Sequence, residues 1–340
     1  MTLEEIKFRR LVNQHLAIPA DKMTVVRDLC GVQAQFMSNA VHALRIRCAD
    51  FDEKKLKDGL VKNWTIRGTV HVFAEADLPL FIGCKKYRSN EWSEPSFWNQ
   101  RDCWALTPAR QAYFSGVIVD AVAKGTRTRE ELKEICRNSG MTKPEEDSMF
   151  DPWGGGIREL CERGFLNYAV QEEKAFCAAP VFEPLSEEDT QLELARRYFT
   201  NFGPATIHDA QYFFHATAAK VKGWLPRLPV VSCECEGKTY YYIENGSSYD
   251  VDMPDCLFLA GFDQLMLGYE KKESLFLKPE HLRKIFNLAG IVMPAVLLRG
   301  QVVGKWKRKG KRLELELFEP LSEADRALIR AKAEALTDHF

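Results

Sequence analysis

The sequence holds none of the short signatures that open most enzyme assignments. There is no GxSxG, no Walker A loop, no HExxH and no GxGxxG after a strand. A nucleophile elbow, a P-loop, a zincin helix and a dinucleotide fingerprint are therefore set aside. The seven His are dispersed, with no pair at metal-ligand spacing, so neither a metal nor a cofactor is expected. The ten Cys include no CxxC pair. Cys233 and Cys235 sit two apart, too close for an ordinary disulfide or zinc pair. The thiols read as reduced and buried in a cytosolic protein. No stretch approaches the ~20 apolar residues of a membrane span. The N-terminal MTLEEIKFRRLVNQHL lacks the apolar core of a signal peptide. A cytoplasmic protein with no membrane partner is expected. A basic excess is missing as well: the net charge is −1, which counts against the simplest prior for a nucleic-acid binder.

What is present reads as globular. The 340 residues are 46% hydrophobic and 28% charged, with seven Trp and 21 Phe to supply several cores. The charge is unevenly spread. Residues 1–100 hold 15 basic and 12 acidic side chains, residues 101–250 hold 17 and 23, and residues 251–340 hold 15 and 13. The two ends are mildly basic, so a contact face for DNA built from both ends is compatible with the composition. Nothing suggests an obligate dimer, and a monomer is expected.

Periodicity predicts a recurring pattern. Leu3–Leu16, Asp21–Leu29, Met37–Cys48 and Glu53–Val61 carry helical spacing, with Asp21 as an N-cap. Trp64–Phe73 then alternates, is rich in β-branched residues and turns at Arg67-Gly68, which predicts a hairpin. Helices followed by a hairpin make a winged-helix pattern. It recurs with helices starting at Thr107, Thr128 and Ile157, the last preceded by a flexible Gly154-Gly-Gly156. A hairpin around Gln171–Lys174 follows. It recurs again with Glu187–Phe202, Thr206–Phe214, Thr217–Leu225 and a hairpin turning at Gly237-Lys238. The last ninety residues differ. Several short strands around Arg299-Gly300 and Gly310, a helix at Pro279–Asn287 and a closing helix from Ser322 suggest a small barrel. The expected fold class is α+β: tandem winged-helix domains over 1–100, 101–182 and 183–250, followed by a small C-terminal β-barrel over 251–340.

Three stretches can carry chemistry, each beside a plainer reading. In Gly31-Val-Gln33-Ala-Gln35-Phe36, two Gln lie where one helix ends and another begins. Helical geometry would point them ~200° apart, whereas extended geometry puts them on one face. They converge only if this stretch is a loop or junction; otherwise they are solvated glutamines. Arg67-Gly-Thr-Val-His71 is either a wing whose Arg and His touch a phosphate or lesion, or an ordinary hairpin with a surface Arg and a hydrogen-bonded His. Lys305-Trp-Lys-Arg-Lys-Gly-Lys-Arg312 is basic at six of eight positions. Lys305, Lys307, Arg308, Lys309, Lys311 and Arg312 form either a hairpin tip for a phosphate backbone or a solvated turn. The functional reading is favoured, because six clustered cations repel one another without an anionic partner. Glu145-Glu-Asp147 reads as a solvated loop. Asp263, after a strand, either orients a substrate or caps a turn.

The chain also holds Gly203-Pro-Ala-Thr206, Phe262-Asp-Gln264, Leu267-Gly-Tyr269, Pro294-Ala-Val-Leu297 and Gly300-Gln-Val-Val-Gly-Lys-Trp306. With Gln33-Ala34-Gln35 and Arg67-Gly-Thr-Val-His71, in this order, they resemble the AlkZ/YcaQ family. Those proteins are winged-helix DNA glycosylases that excise N7-alkylated purines, some from interstrand crosslinks. The resemblance spans nearly the whole chain. Gln264 departs from it where an acidic residue is usual, and Lys305 where a small one is usual.

The resemblance implies a monofunctional glycosylase acting on double-stranded DNA with alkylated purines. Gln33 and Gln35 would be catalytic, Arg67, His71 and the 305–312 segment would hold DNA, and Asp263 would give support. An amide does not titrate, so neither Gln is a general base. An N7-alkylpurine already carries positive charge, however, and leaves without acid assistance. Two amides then suffice to hold a water below C1′ and face the developing cation. Two other readings use the same helices: a non-catalytic DNA-binding regulator and a protein-interaction module. The first tolerates alanine at Gln33 and Gln35; the second has little salt-dependent DNA affinity.

Overall fold

Side-chain caps fix where most helices start. Thr2, Thr128, Thr142 and Thr206 each head a capping box closed by the carboxylate three residues on. Asp21, Thr107 and Thr217 cap singly. The computed structural model describes residues 1–92, 104–152, 154–310 and 312–337. The chain gathers into two compact units: a discontinuous one, Met1–Leu56 with Leu192–Phe340, and a continuous one, Lys57–Gln191. The first boundary falls inside the span 1–100 that the sequence presents as one module. Among the described residues no helix is long and apolar enough to cross a membrane, and none of the nine described cysteines is in a disulfide.

In the continuous unit, five strands of one sheet lie in the order Val70–Ala74, Leu60–Trp64, Leu166–Tyr168, Ala175–Ala178 and Arg127–Thr128. Two of the expected hairpins thus share a sheet, joined where Lys62 faces Tyr168. Buried Asn63 reinforces the join, its Nδ2 donating to the carbonyls of Cys161 and Leu166 and to Asn167 Oδ1. Helices Pro108–Ala123, Arg129–Asn138 and Gly155–Glu162 supply Phe114, Ile118, Leu132 and Leu160 to the core.

Three local expectations change here. Glu53–Val61 is not a helix: only Glu53–Lys55 makes a 3-10 turn, Gly59 takes φ +72° and Leu60 already pairs with Ala74. Gly155 and Gly156 serve close packing rather than flexibility. A Cβ on Gly155 would lie 2.6 Å from the Met149 carbonyl oxygen. Glu145 and Glu146 are not in a solvated loop. They are buried in helix Lys143–Met149 and paired with Arg110 and Arg137, and the Arg110 guanidinium holds the Glu145 carboxyl down at about 2.

The discontinuous unit packs Tyr198, Phe199, Phe202 and Phe213 into one aromatic cluster. Arg10, on helix Leu3–Asn13, is 1% exposed. It donates to the Pro204 carbonyl at 2.8 Å and to Asp209 at 3.1 Å, and lies over the Tyr269 ring. The third hairpin, Val231–Cys235 with Lys238–Tyr242, turns at Glu236-Gly237, one residue earlier than the sequence suggests. Both turn residues have positive φ, the conformation a type I′ two-residue hairpin requires.

The expected barrel is not found among the described residues. Strands Arg312–Leu317, Gln301–Lys309, Ala295–Leu298 and Cys256–Phe258 form an open four-stranded antiparallel sheet with two edges. Its apolar face is closed by helix Glu323–Thr337 instead of by more strands. Ile329 and Ala333 pack on Phe258, Val296 and Trp306.

Candidate active site

The glutamines lie on the link between helix Lys22–Asp28 and helix Met37–Arg45. Gly31 takes φ +84°, Val32–Gln33 are extended, and residues 34–36 are non-helical. The helical arrangement that would point the two amides apart is therefore absent. The chain dips inward and out again: Gln33 is 6% exposed, Ala34 is fully buried, and Gln35 and Phe36 are exposed.

The helix that follows is fastened to the C-terminal sheet and its loops at four points. Buried His42 donates from Nε2 to the Phe258 carbonyl at 2.7 Å and meets the Trp306 ring edge-on. Burial lowers its pKa, so the ring is neutral. Trp306 in turn donates to the Leu259 carbonyl. Gly261 admits the Asn39 side chain, which a Cβ would meet at 2.9 Å. Phe36 stacks on Phe262. Fourth, the Arg47 guanidinium reaches Asp263 with two bonds, 2.6 and 3.0 Å, and donates to the carbonyls of Gln14 and Ala43. Both partners of that ion pair are buried. Asp263 also caps helix Gln264–Leu267 through the Leu265 N–H. Of its two readings, orienting a substrate and capping a turn, the geometry displays the cap, and the ion pair with Arg47 is added to it.

Arg67 lies in the turn between Leu60–Trp64 and Val70–Ala74, and His71 is the second residue of the latter strand. Arg67 is half-buried, whereas His71 is fully buried. Its Nδ1 lies 3.0 Å from the Thr69 carbonyl and 3.1 Å from Thr65 Oγ1. Burial, and then the charge of Arg67, push its pKa down to about 3. A neutral ring with no exposed atom shapes the turn from inside, which differs from the expected grip on DNA. A pH dependence follows. Below pH 6.5 the unfolded chain takes up a proton that the folded ring refuses, so stability falls as pH drops from 6.5 toward 3. The loss attributable to His71 is about 2 kcal/mol at pH 5. Urea unfolding at pH 7 and pH 5 should show that part of the difference disappearing in His71→Leu. An equal drop in both proteins would assign the proton elsewhere.

The basic segment forms the tip of Gln301–Lys309 with Arg312–Leu317. The cations are not without anions, as their sequence density suggested. Lys305 pairs with Glu316, and Lys307 and Lys309 with Glu314. Arg308 donates to the Gly310 carbonyl. Arg312 is exposed, and Lys311 lies outside the described residues. Exposed pairs of this kind are worth under ~1 kcal/mol, so the glutamates hold these cations only weakly. Elsewhere, Glu280, His281 and Glu319 come together, but Lys278 Nζ sits 2.7 Å from both Glu319 oxygens, where a cation would need to bind.

Residues 26–339 match the family described as AlkZ-like DNA glycosylases. The chain belongs to that family. It is 25% identical over 332 residues to an interstrand DNA cross-link repair glycosylase of Streptomyces sahachiroi, covering 90% of this chain and 86% of that one. The solved structure of Streptomyces sahachiroi DNA glycosylase AlkZ aligns with a TM-score of 0.77 at 22% identity, over 99% of this chain and 95% of that one. The α+β architecture is thus shared with a solved AlkZ.

For an AlkZ-like glycosylase, the sequence points to the glutamine junction and to Asp263, which lie in one compact unit. It misses Arg47, His42 and Phe36. Arg47 has no local signal, since its carboxylate lies 216 residues away. Phe36 does have one: an aromatic at an N-cap, where a small polar residue is usual.

Proposed function

We propose that this AlkZ-like chain hydrolyses the N-glycosidic bond of cationic N7-alkylpurines in duplex DNA, interstrand crosslinks included, and leaves the strand intact. The non-helical glutamine junction carries the reading: two amides two residues apart, one nearly buried and one exposed, on a link that runs into helix Met37–Arg45, beyond whose end Arg47 makes a buried ion pair with Asp263. The Gln33 and Gln35 carbonyl oxygens accept from a water below C1′. The C1′–N9 bond breaks and its electron pair neutralises the purine. The water oxygen bonds to C1′, and its proton leaves to solvent. The amide dipoles face the oxocarbenium-like charge as it develops.

Arg67 and the 305–312 hairpin hold the backbone, with His71 setting the Arg67 turn from within. The helix–hairpin groups over 1–100, 101–182 and 183–250 act as winged helices, with residues 251–340 as the fourth module. The crosslink repair named for the Streptomyces relative fits this chemistry. A purine crosslinked through an alkyl group on N7 is cationic, and it cannot swing into a closed pocket.

Base release from a duplex carrying one N7-methylguanine, and from one carrying an N7-linked crosslink, tests the reading. Free base should appear from both, with the strand cut only after alkali. No release from either substrate would refute it, and cleavage without alkali would refute the monofunctional mechanism.

A further inference from the structure

The junction that carries the glutamines ends in a large, exposed aromatic ring. Phe36 is 43% exposed. It holds the N-cap of helix Met37–Arg45 and makes no side-chain cap bond, at a position where Ser, Thr, Asp or Asn would satisfy an open N–H. Its ring stacks on Phe262 with centroids 6.1 Å apart and planes at 25°. Phe262 is 7% exposed, and its backbone sits at φ +56°, a left-handed conformation that a bulky residue rarely takes. The neighbours of Phe262 lock that loop: Gly261 closes on Asn39, and Asp263 is clamped by Arg47. An uncapped helix end, a left-handed aromatic and an exposed ring are each unfavourable for folding. All three meet beside Gln35, and such concentrations occur where function outweighs stability.

We propose that Phe36 is an apolar wedge that stacks on a nucleobase beside the damaged nucleotide and opens the stack, bringing C1′ within reach of Gln33 and Gln35. The proposal rests on the glycosylase reading of the glutamines and adds the group that deforms the substrate. A ring with no donor or acceptor recognises the π face that every base has, and so is indifferent to sequence. Apolar side chains pressed between base steps unstack them and bend the duplex. Buried Phe262 behind the ring keeps it from yielding when the stack pushes back. A crosslinked base cannot be swung out of the helix as base-flipping enzymes require. Loosening the adjacent step is a way to expose its sugar without extruding it.

The test uses a duplex with N7-methylguanine next to 2-aminopurine, whose fluorescence rises on unstacking, with saturating protein and a single turnover. Wild type should brighten the probe before base release. Phe36→Ala should bind without that rise and release base about 10- to 100-fold more slowly, the size of loss when a base-stacking aromatic is truncated. Phe36→Leu and Phe36→Trp keep an apolar wedge and should retain both signals. A mismatch at the probe step, already loosened, should restore release by Phe36→Ala, which a merely structural role would not allow. Wild-type brightening and release by Phe36→Ala, or a loss that the mismatch leaves unchanged, overturns the wedge alone. No release by wild type overturns the glutamine reading and the wedge with it.

Discussion

Asp263→Ala is expected to destabilise the discontinuous unit by about 3–5 kcal/mol, the range for breaking a buried ion pair from one side. Arg47 is 0% exposed and Asp263 1%, so the surviving guanidinium is left with two carbonyls and no counter-charge. Asp263→Asn should fall between wild type and alanine, because an amide oxygen still caps Leu265 while the charge is gone. The control is Arg47→Met with Asp263→Leu. Removing both charges for apolar groups of similar size is often neutral or stabilising. Urea unfolding of the three variants checks the order, and alanine within about 0.5 kcal/mol of wild type, the size of an ordinary surface substitution, would show that the pair does not brace the fold. Base release at saturating protein should slow in Asp263→Ala and recover in the double variant, since the pair acts through the position of helix Met37–Arg45.

Much of the fold is legible because its signals are local. Thr107, Thr128, Thr206 and Asp21 announce helix starts through chemistry within four residues, and each alternating pair of strands announces a hairpin. Closure of the C-terminal sheet has no such signal. Alternation in Arg312–Leu317 states that one face is apolar. It does not state whether strands or a helix will cover that face, and helix Glu323–Thr337 supplies the cover. Glu53–Val61 fails for the opposite reason. Its charged residues at helical spacing are real, but pairing of Leu60 and Val61 with Ala74 and Phe73 outweighs propensity.

The site is legible in part. Gln33 and Gln35 stand out because their spacing fits one geometry and not another, and the junction is non-helical, with Gln33 buried and Gln35 exposed. Burial is what the sequence withholds. His71 lies in an alternating strand, where the choice between inner and outer face turns on register, and it falls on the inner one. The cations of the basic hairpin look unbalanced along the chain. Their counter-charges, Glu314 and Glu316, stand across the turn on the partner strand. Arg47 and Asp263 reveal themselves only as a pair, brought together across most of the chain.

Replacing Gln35 alone with alanine should slow base release by about 10²–10³-fold, the range for losing one preorganised dipole aimed at a developing charge. Gln35 is exposed, so its truncation leaves no cavity, and stability should stay within about 0.5 kcal/mol of wild type. Gln33 is 6% exposed; its alanine variant loses packing as well as an acceptor, and its rate must be read beside its unfolding curve. DNA affinity should hold in both, because the amides contribute in the transition state and phosphate contacts dominate binding. Gln35→Asp separates the roles further. A carboxylate accepts from the water and faces the cation at least as well as an amide, so release should survive at neutral pH. Unlike the amide, it titrates: the variant should lose activity as pH falls through about 4, where wild type stays flat. Single-turnover rates on an N7-methylguanine duplex across pH 4–8 would show this. If Gln35→Ala released base at the wild-type rate, the exposed amide would be a solvated side chain and the water would need another holder.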